Sequence, residues 1–144
     1  MNVYIDSSVA LRLVFNEDRQ LTEWDRVETA VSSILLFIEG HRALDRVRLK
    51  PQTMRKMIGA PIDRFLTMVE RIEFIELDRK IISMAAQPLP FVIKSLDAIH
   101  LATAREWRDR EKKDLVFLTH DGGLANAARR VGFSVLGSGG LTEG

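Results

Sequence analysis

Residues 114–133 read DLVFLTHDGGLANAARRVGF, a strand, a turn and a helix in succession. Asp114 to Thr119 is a short apolar run of the kind that forms a strand buried on both faces. Leu124 to Val131 follows with helical character, and Gly132 takes the C′ position that glycine favours. Phe133 to Leu136 then supplies another short strand. The same grammar opens the chain: Val3 to Ile5 is apolar, Asp6 ends it, and Ser7 or Ser8 can cap a helix to about Phe15. Between these ends the pattern predicts a helix over Asp18 to Arg26, a strand from Thr29 to Ser32, and a helix that Ser33 opens and Pro51 ends near Leu49. Gln52 to Arg71 reads as two short helices broken at Gly59-Ala60-Pro61. Ile72 to Leu77 alternates apolar and acidic residues as a strand does. Asp78 caps a helix to Ala86, and Ser95 caps one from Leu96 to about Lys112. Strands alternating with helices predict right-handed crossovers. The expected fold is therefore a three-layer α/β/α sandwich with a mainly parallel central sheet. Residues 1–136 would form one domain and 137–144 a flexible tail.

Composition narrows the classes. The chain has 144 residues, 46% hydrophobic and 28% charged, enough for one well-packed core and too apolar for disorder. It has no cysteine, which removes disulfides, zinc–thiolate sites and thiol catalysis. A net charge of +1 leaves any polyanion to be held by a local patch rather than by bulk charge. MNVYIDSSVALRLVF lacks the pattern of a secretory leader and no apolar run is long enough to span a bilayer, so a cytoplasmic location is expected.

The acids carry the chemistry. In parallel sheets, sites form at the carboxyl ends of strands where the strand order reverses. Asp6 ends the first strand and Asp121 follows DLVFLT, so both should reach the same rim. On a helical wheel, Leu36, Phe37, Leu44 and Val47 define the core face, with Glu39 at its edge. Asp97 lies in the first turn of a helix that is apolar on nearly all sides from Leu96 to Ala104, near the positive end of its dipole. Four like charges at one rim repel and raise one another's pKa. A hard divalent ion, Mg²⁺ or Mn²⁺, reverses that sign and can activate water in phosphodiester cleavage. Each acid also has a plainer reading: a cap at Asp6, an exposed pair of Glu39 with Arg42, a dipole partner at Asp97, a turn residue at Asp121.

The chain resembles the PIN-domain ribonucleases, in particular VapC-type toxins of toxin–antitoxin pairs. The matching pieces are YIDSSVAL (4–11), the mid-helix acid in LLFIEGHRAL (35–44), LDAIHLATA (96–104) and FLTHDGGLANAARRVGF (117–133). The resemblance implies catalytic, metal-binding acids at Asp6, Glu39, Asp97 and Asp121, with Mg²⁺ or Mn²⁺ as cofactor. It also implies supporting hydroxyls at Thr119 and at Ser7 or Ser8. Its usual activity is endonucleolytic cleavage of RNA, restrained by a cognate antitoxin protein that sends a basic side chain among the carboxylates, and homodimers are frequent. Two places depart from the pattern: residues 50–71 match no motif, and Gly122-Gly123 loosens the loop after Asp121.

Other features are weaker. Arg42, Arg46, Arg48, Lys50, Arg55 and Lys56 form a basic stretch that would hold RNA backbone or simply face solvent. Met54, Met57 and Met68 suit either a groove for a partner helix or core filling. His41, His100 and His120 show no metal-ligand spacing. A phosphoacceptor signalling domain is a rival reading, but it wants paired acids after the first strand and a lysine after a late one. Here Ser7-Ser8 follow Asp6, and Lys112-Lys113 precede the strand. A catalytically silent interaction module and a DNA-directed nuclease stand behind it.

Overall fold

The computed structural model describes residues 1–15, 25–50, 52 and 60–137. Five strands form one sheet: β1 (Asn2–Ile5), β2 (Thr29–Ser33), β3 (Ile72–Ile75), β4 (Val116–Leu118) and β5 (Ser134–Leu136). Their order is β3-β2-β1-β4-β5, and every pairing is parallel. Six helices accompany them among the described residues: α1 (Ser7–Phe15), α2 (Leu35–Arg48), α3 (Ala60–Val69), α4 (Arg79–Ala85), α5 (Ser95–Glu111) and α6 (Gly122–Arg130). The expected three-layer α/β/α sandwich is the observed fold.

Alternation along the strands separates two cores. Val3 and Ile5 of β1 join Leu118, Val9, Val14, Leu36, Phe65 and Met68 on one side of the sheet. Tyr4 points the other way and joins Phe117, Leu101, Trp107, Leu124 and Ala128. Burial on both faces explains why these strands read as continuous apolar runs. Met68 fills core, while Met54, Met57, Arg55 and Lys56 lie outside the described residues. So do the first helix of the Gln52–Arg71 pair, apart from Gln52, and the Asp18–Arg26 helix, apart from Asp25 and Arg26. The 137–144 tail is described only at Gly137.

Several expected boundaries shift for physical reasons. Ser95 is the first helical residue of α5, and the N-cap position belongs to Lys94, which makes no side-chain capping bond. Ser33 ends β2, although its Oγ still accepts the Leu35 N–H at 3.2 Å. Asp78 caps α4 as expected, accepting the Ile81 N–H at 2.9 Å. The buried seam of α2 is Leu36, Gly40 and Ala43; of the expected face Leu36 is buried and Leu44 partly so, while Phe37 is 41% exposed. That rotation turns Glu39 inward.

Gly40 is what permits it. A Cβ at residue 40 would overlap Cε2 and Cζ of the buried Phe65 ring on α3. Gly40→Ala should therefore lower the melting temperature. Overpacking costs about 1–3 kcal/mol, against roughly 1 kcal/mol gained in helix propensity. Thermal melts of Gly40→Ala alone and combined with Phe65→Leu check this: the second change should restore part of the loss, and an unchanged single variant contradicts the contact.

Candidate active site

The strand order reverses between β1 and β4, and the parallel register there pairs Ile5 with Leu118. The Asp6 N–H continues the ladder onto the Leu118 carbonyl at 3.2 Å. Asp6 and Thr119 are consequently neighbours, though 113 residues apart, and Thr119 Oγ1 donates to Asp6 Oδ2 at 2.7 Å. Ser8 Oγ donates to Asp6 Oδ1 at 2.6 Å, and the Val9 N–H approaches the same oxygen at 3.3 Å. Asp6 is only 4% exposed. Burial pushes its carboxyl above the usual range, and these hydrogen bonds oppose the rise.

The two hydroxyls also tie down the loop that carries Asp121. Thr119 Oγ1 accepts the Asp121 N–H at 3.0 Å, and Ser8 Oγ accepts the His120 N–H at 2.8 Å. His120 Nδ1 meets the Gly137 carbonyl. Asp121 is the N-cap of α6, accepting the Leu124 N–H on Oδ1 at 2.8 Å, and Gly122 and Gly123 are already helical. The loop freedom expected of the glycine pair is thus absent, and the capping bond holds the acid in place.

The side chain of Asp97, in the first turn of α5, has no hydrogen bond or ion pair among the described residues. Burial raises its pKa first, and the charges of Asp121 and Asp6 add to the rise while His100 and Lys94 oppose it. Three of the four predicted acids therefore share one electrostatic neighbourhood. Glu39 joins from α2 by another route: Oε1 accepts from His100 Nε2 at 2.7 Å and Oε2 from Ser7 Oγ at 3.0 Å. Burial pushes Glu39 up, but the attraction of His100 and the Ser7 bond outweigh it and leave its carboxyl below the usual range. The surface pair expected for Glu39 with Arg42 does not form; Arg42 pairs with Asp45 at 2.8 Å. Ser7 and Ser8 each serve an acid, but different ones.

His100 is the residue that sequence reasoning passed over. It is 2% exposed and binds Tyr4 Oη through Nδ1 at 2.7 Å. Its spacing of three from Asp97 put both on one face of α5, a signal that a search for histidine pairs does not test.

Beside Glu39 lies a groove of about 650 Å³, lined by Ser7, Leu35, Ile38, Arg42, Arg46 and Leu96 among others. Among the described residues no three acid or histidine side chains close into a ready-made metal cage. The donor chemistry nonetheless suits a hard divalent cation: carboxylate oxygens, two of them on side chains raised in pKa by burial, with Asp97 unpartnered.

A sequence profile described as the PIN domain matches residues 3–130, and the chain belongs to that family. Two of its relatives are Ribonuclease VapC46 and Ribonuclease VapC47 of Mycobacterium tuberculosis. Each is 30% identical over 139 residues, covering 93% of this chain and 95% of the first relative, and 91% and 93% for the second. Among solved structures, VapBC2 from Rickettsia felis bound to a promoter DNA fragment has a chain that superposes with a TM-score of 0.63 at 10% identity, covering 94% of this chain and 98% of that one. A chain of FitAB bound to IR36 DNA gives 0.61 at 17% identity, covering 93% of each. At those identities the structural matches speak for the fold alone.

The raised pKa of Asp97 has a consequence for stability. An acid whose folded pKa exceeds its unfolded value binds its proton longer when folded, so stability falls as pH rises through that window. Asp97→Asn removes the penalty and the repulsion without breaking a hydrogen bond. In metal-free buffer the variant should melt above wild type at pH 8, with the difference vanishing as pH falls toward the ordinary aspartate value of 3.8. A variant that melts below wild type at pH 8 contradicts the electrostatic reading.

Proposed function

We propose that this chain is a divalent-metal-dependent endoribonuclease, the toxin of a type II toxin–antitoxin pair, with Asp6, Glu39, Asp97 and Asp121 as its working carboxylates. The observation that carries the reading is the meeting of Asp6 with the loop of Asp121 at the β1–β4 reversal, joined through Thr119 and Ser8, with Asp97 in the field of both acids. The relatives named ribonucleases support the substrate class. Mg²⁺ or Mn²⁺ would be held by Asp6, Asp97 and Asp121, with Glu39 as a direct ligand, a ligand through water, or a base. When bound, such an ion polarises water and offsets charge on a phosphodiester. The protein's own contribution is to keep Asp6 immobile through Ser8 and Thr119, hold Asp121 by its cap, and present Glu39 ionised at the groove.

Arg42 and Arg46 line that groove and would steady the RNA backbone. A cognate antitoxin protein would cover the same acids, the working form would be a homodimer, and its setting the cytoplasm. No helix among the described residues is long and apolar enough to cross a membrane. The phosphoacceptor rival loses support from the topology. Lys112 and Lys113 precede β4, at the end of the sheet opposite Asp6.

The test is to incubate protein purified free of any partner with total RNA, with and without Mg²⁺ or Mn²⁺, and to map the cut ends. Cleavage should need the metal. Asp6→Asn and Asp97→Asn should each lose more than the roughly 10–100-fold typical of an outer-shell change, with circular dichroism unchanged. Full activity in both variants, or an acetyl-phosphate adduct without RNA cleavage, would sink the assignment.

A further inference from the structure

Buried polar groups in a small core are expensive unless every donor and acceptor is matched. Beneath Glu39 lies a chain of such groups running through three elements. The Ser33 N–H, at the end of β2, donates to Tyr4 Oη at 3.1 Å. Tyr4 Oη meets His100 Nδ1 at 2.7 Å, and His100 Nε2 meets Glu39 Oε1 at 2.7 Å. No buried side-chain polar atom among the described residues lacks a partner. Tyr4 and His100 are both buried, and Tyr4 is stacked on Phe117 with ring centroids 5.0 Å apart.

The direction of the chain follows from its ends. A backbone N–H can only donate, and an ionised carboxylate can only accept. His100 must therefore carry a proton on Nε2 to meet Glu39. Tyr4 Oη accepts from Ser33 and meets Nδ1 as donor to a bare nitrogen or as acceptor from an N–H, and the proton on Nε2 is the same in both cases. A glutamate on a helix has three side-chain torsions, and fixing them costs entropy; Ser7 and His100 hold one carboxylate oxygen each.

Resting on the ribonuclease reading above, we infer that His100, oriented by Tyr4 and protonated on Nε2, is a positioning residue that aims the Glu39 carboxylate into the active site. It touches neither substrate nor the reacting atoms; it acts through Glu39. The apolar core alone gives no reason for the chain, since hydrophobic residues of similar volume would fill that space without polar groups to match.

The experiment has two readouts on the full chain. In metal-free protein, long-range ¹H–¹⁵N spectra resolve the three imidazoles His41, His100 and His120, with His100 assigned by its loss in His100→Gln. The expected signature is the Nε2-protonated form, shifted by Tyr4→Phe and by Glu39→Gln. A His100 protonated on Nδ1 alone overturns the proposal. In RNA cleavage at saturating Mn²⁺, His100→Ala should lower kcat by roughly 10–100-fold with KM unchanged. His100→Gln, whose amide can still donate to Glu39, should recover much of that loss. Active His100→Ala overturns the proposal, and so does a Gln variant no better than Ala when both are folded by thermal melt. Wild type that cuts no RNA with either metal overturns the ribonuclease reading instead, so the two failures are distinct.

Discussion

The pairing of β1 with β4 is the constraint on which the site depends. These two strands lie side by side only because the chain, after laying β2 and β3 to one side of β1, crosses back to the other. Parallel register then forces whatever follows Ile5 to lie beside whatever follows Leu118. The molecule places Asp6 on one side and Thr119, His120 and Asp121 on the other, and closes the seam with hydroxyl bonds rather than apolar contacts. A slip of one residue would send Val3 and Ile5 to the face that Tyr4 occupies and break both cores at once. The hydrophobic cores therefore guarantee the placement of polar groups they do not touch.

The four acids are held in different ways. Asp6 has both oxygens bonded and almost no exposure. Asp121 has one oxygen committed to the start of α6. Glu39 has one bond to each oxygen from two different elements, α1 and α5. Asp97 has none. Three of them show how burial and bonding compete: hydrogen bonds and His100 bring Glu39 down, burial outweighs the bonds at Asp6, and Asp97, with no side-chain bond, rises with burial and with its neighbours' charge. A carboxylate whose burial and like-charged neighbours outweigh its countercharges destabilises the fold that holds it, as residues assembled for a ligand often do.

Much of this was readable from the chain because apolar runs stop abruptly at polar residues of the site's rim. VYI ends at Asp6 and VFL at Thr119, so strand ends and site residues coincided in one dimension. Asp97 was legible from its place in the first turn of a long apolar helix. Tyr4 and His100 were not, because their contact spans 96 residues and each is surrounded by apolar neighbours that make it look like ordinary core. The burial of Gly40 in place of Phe37 on α2 was hidden for a related reason. Hydrophobicity ranks Phe37 above Gly40, but the close approach of Phe65 rewards the residue with no side chain. The glycine pair after Asp121 suggested a loose turn because glycine is a poor helix former, yet the capping carboxylate starts the helix there. The sheet obeyed rules of period and burial; the site also obeyed pairings between residues far apart, which no local window contains.

The seat of Gly40 against the Phe65 ring has one more consequence. It stands next to Glu39 on the same helix, so the clearance between two structural helices also fixes where that carboxylate's side chain begins. A saturation survey scored by enzymatic output would rank position 40 beside the acids themselves, although it bears no group capable of chemistry. Tolerance to replacement there would measure how far the helical layer can spread before its neighbour's aim is spoiled.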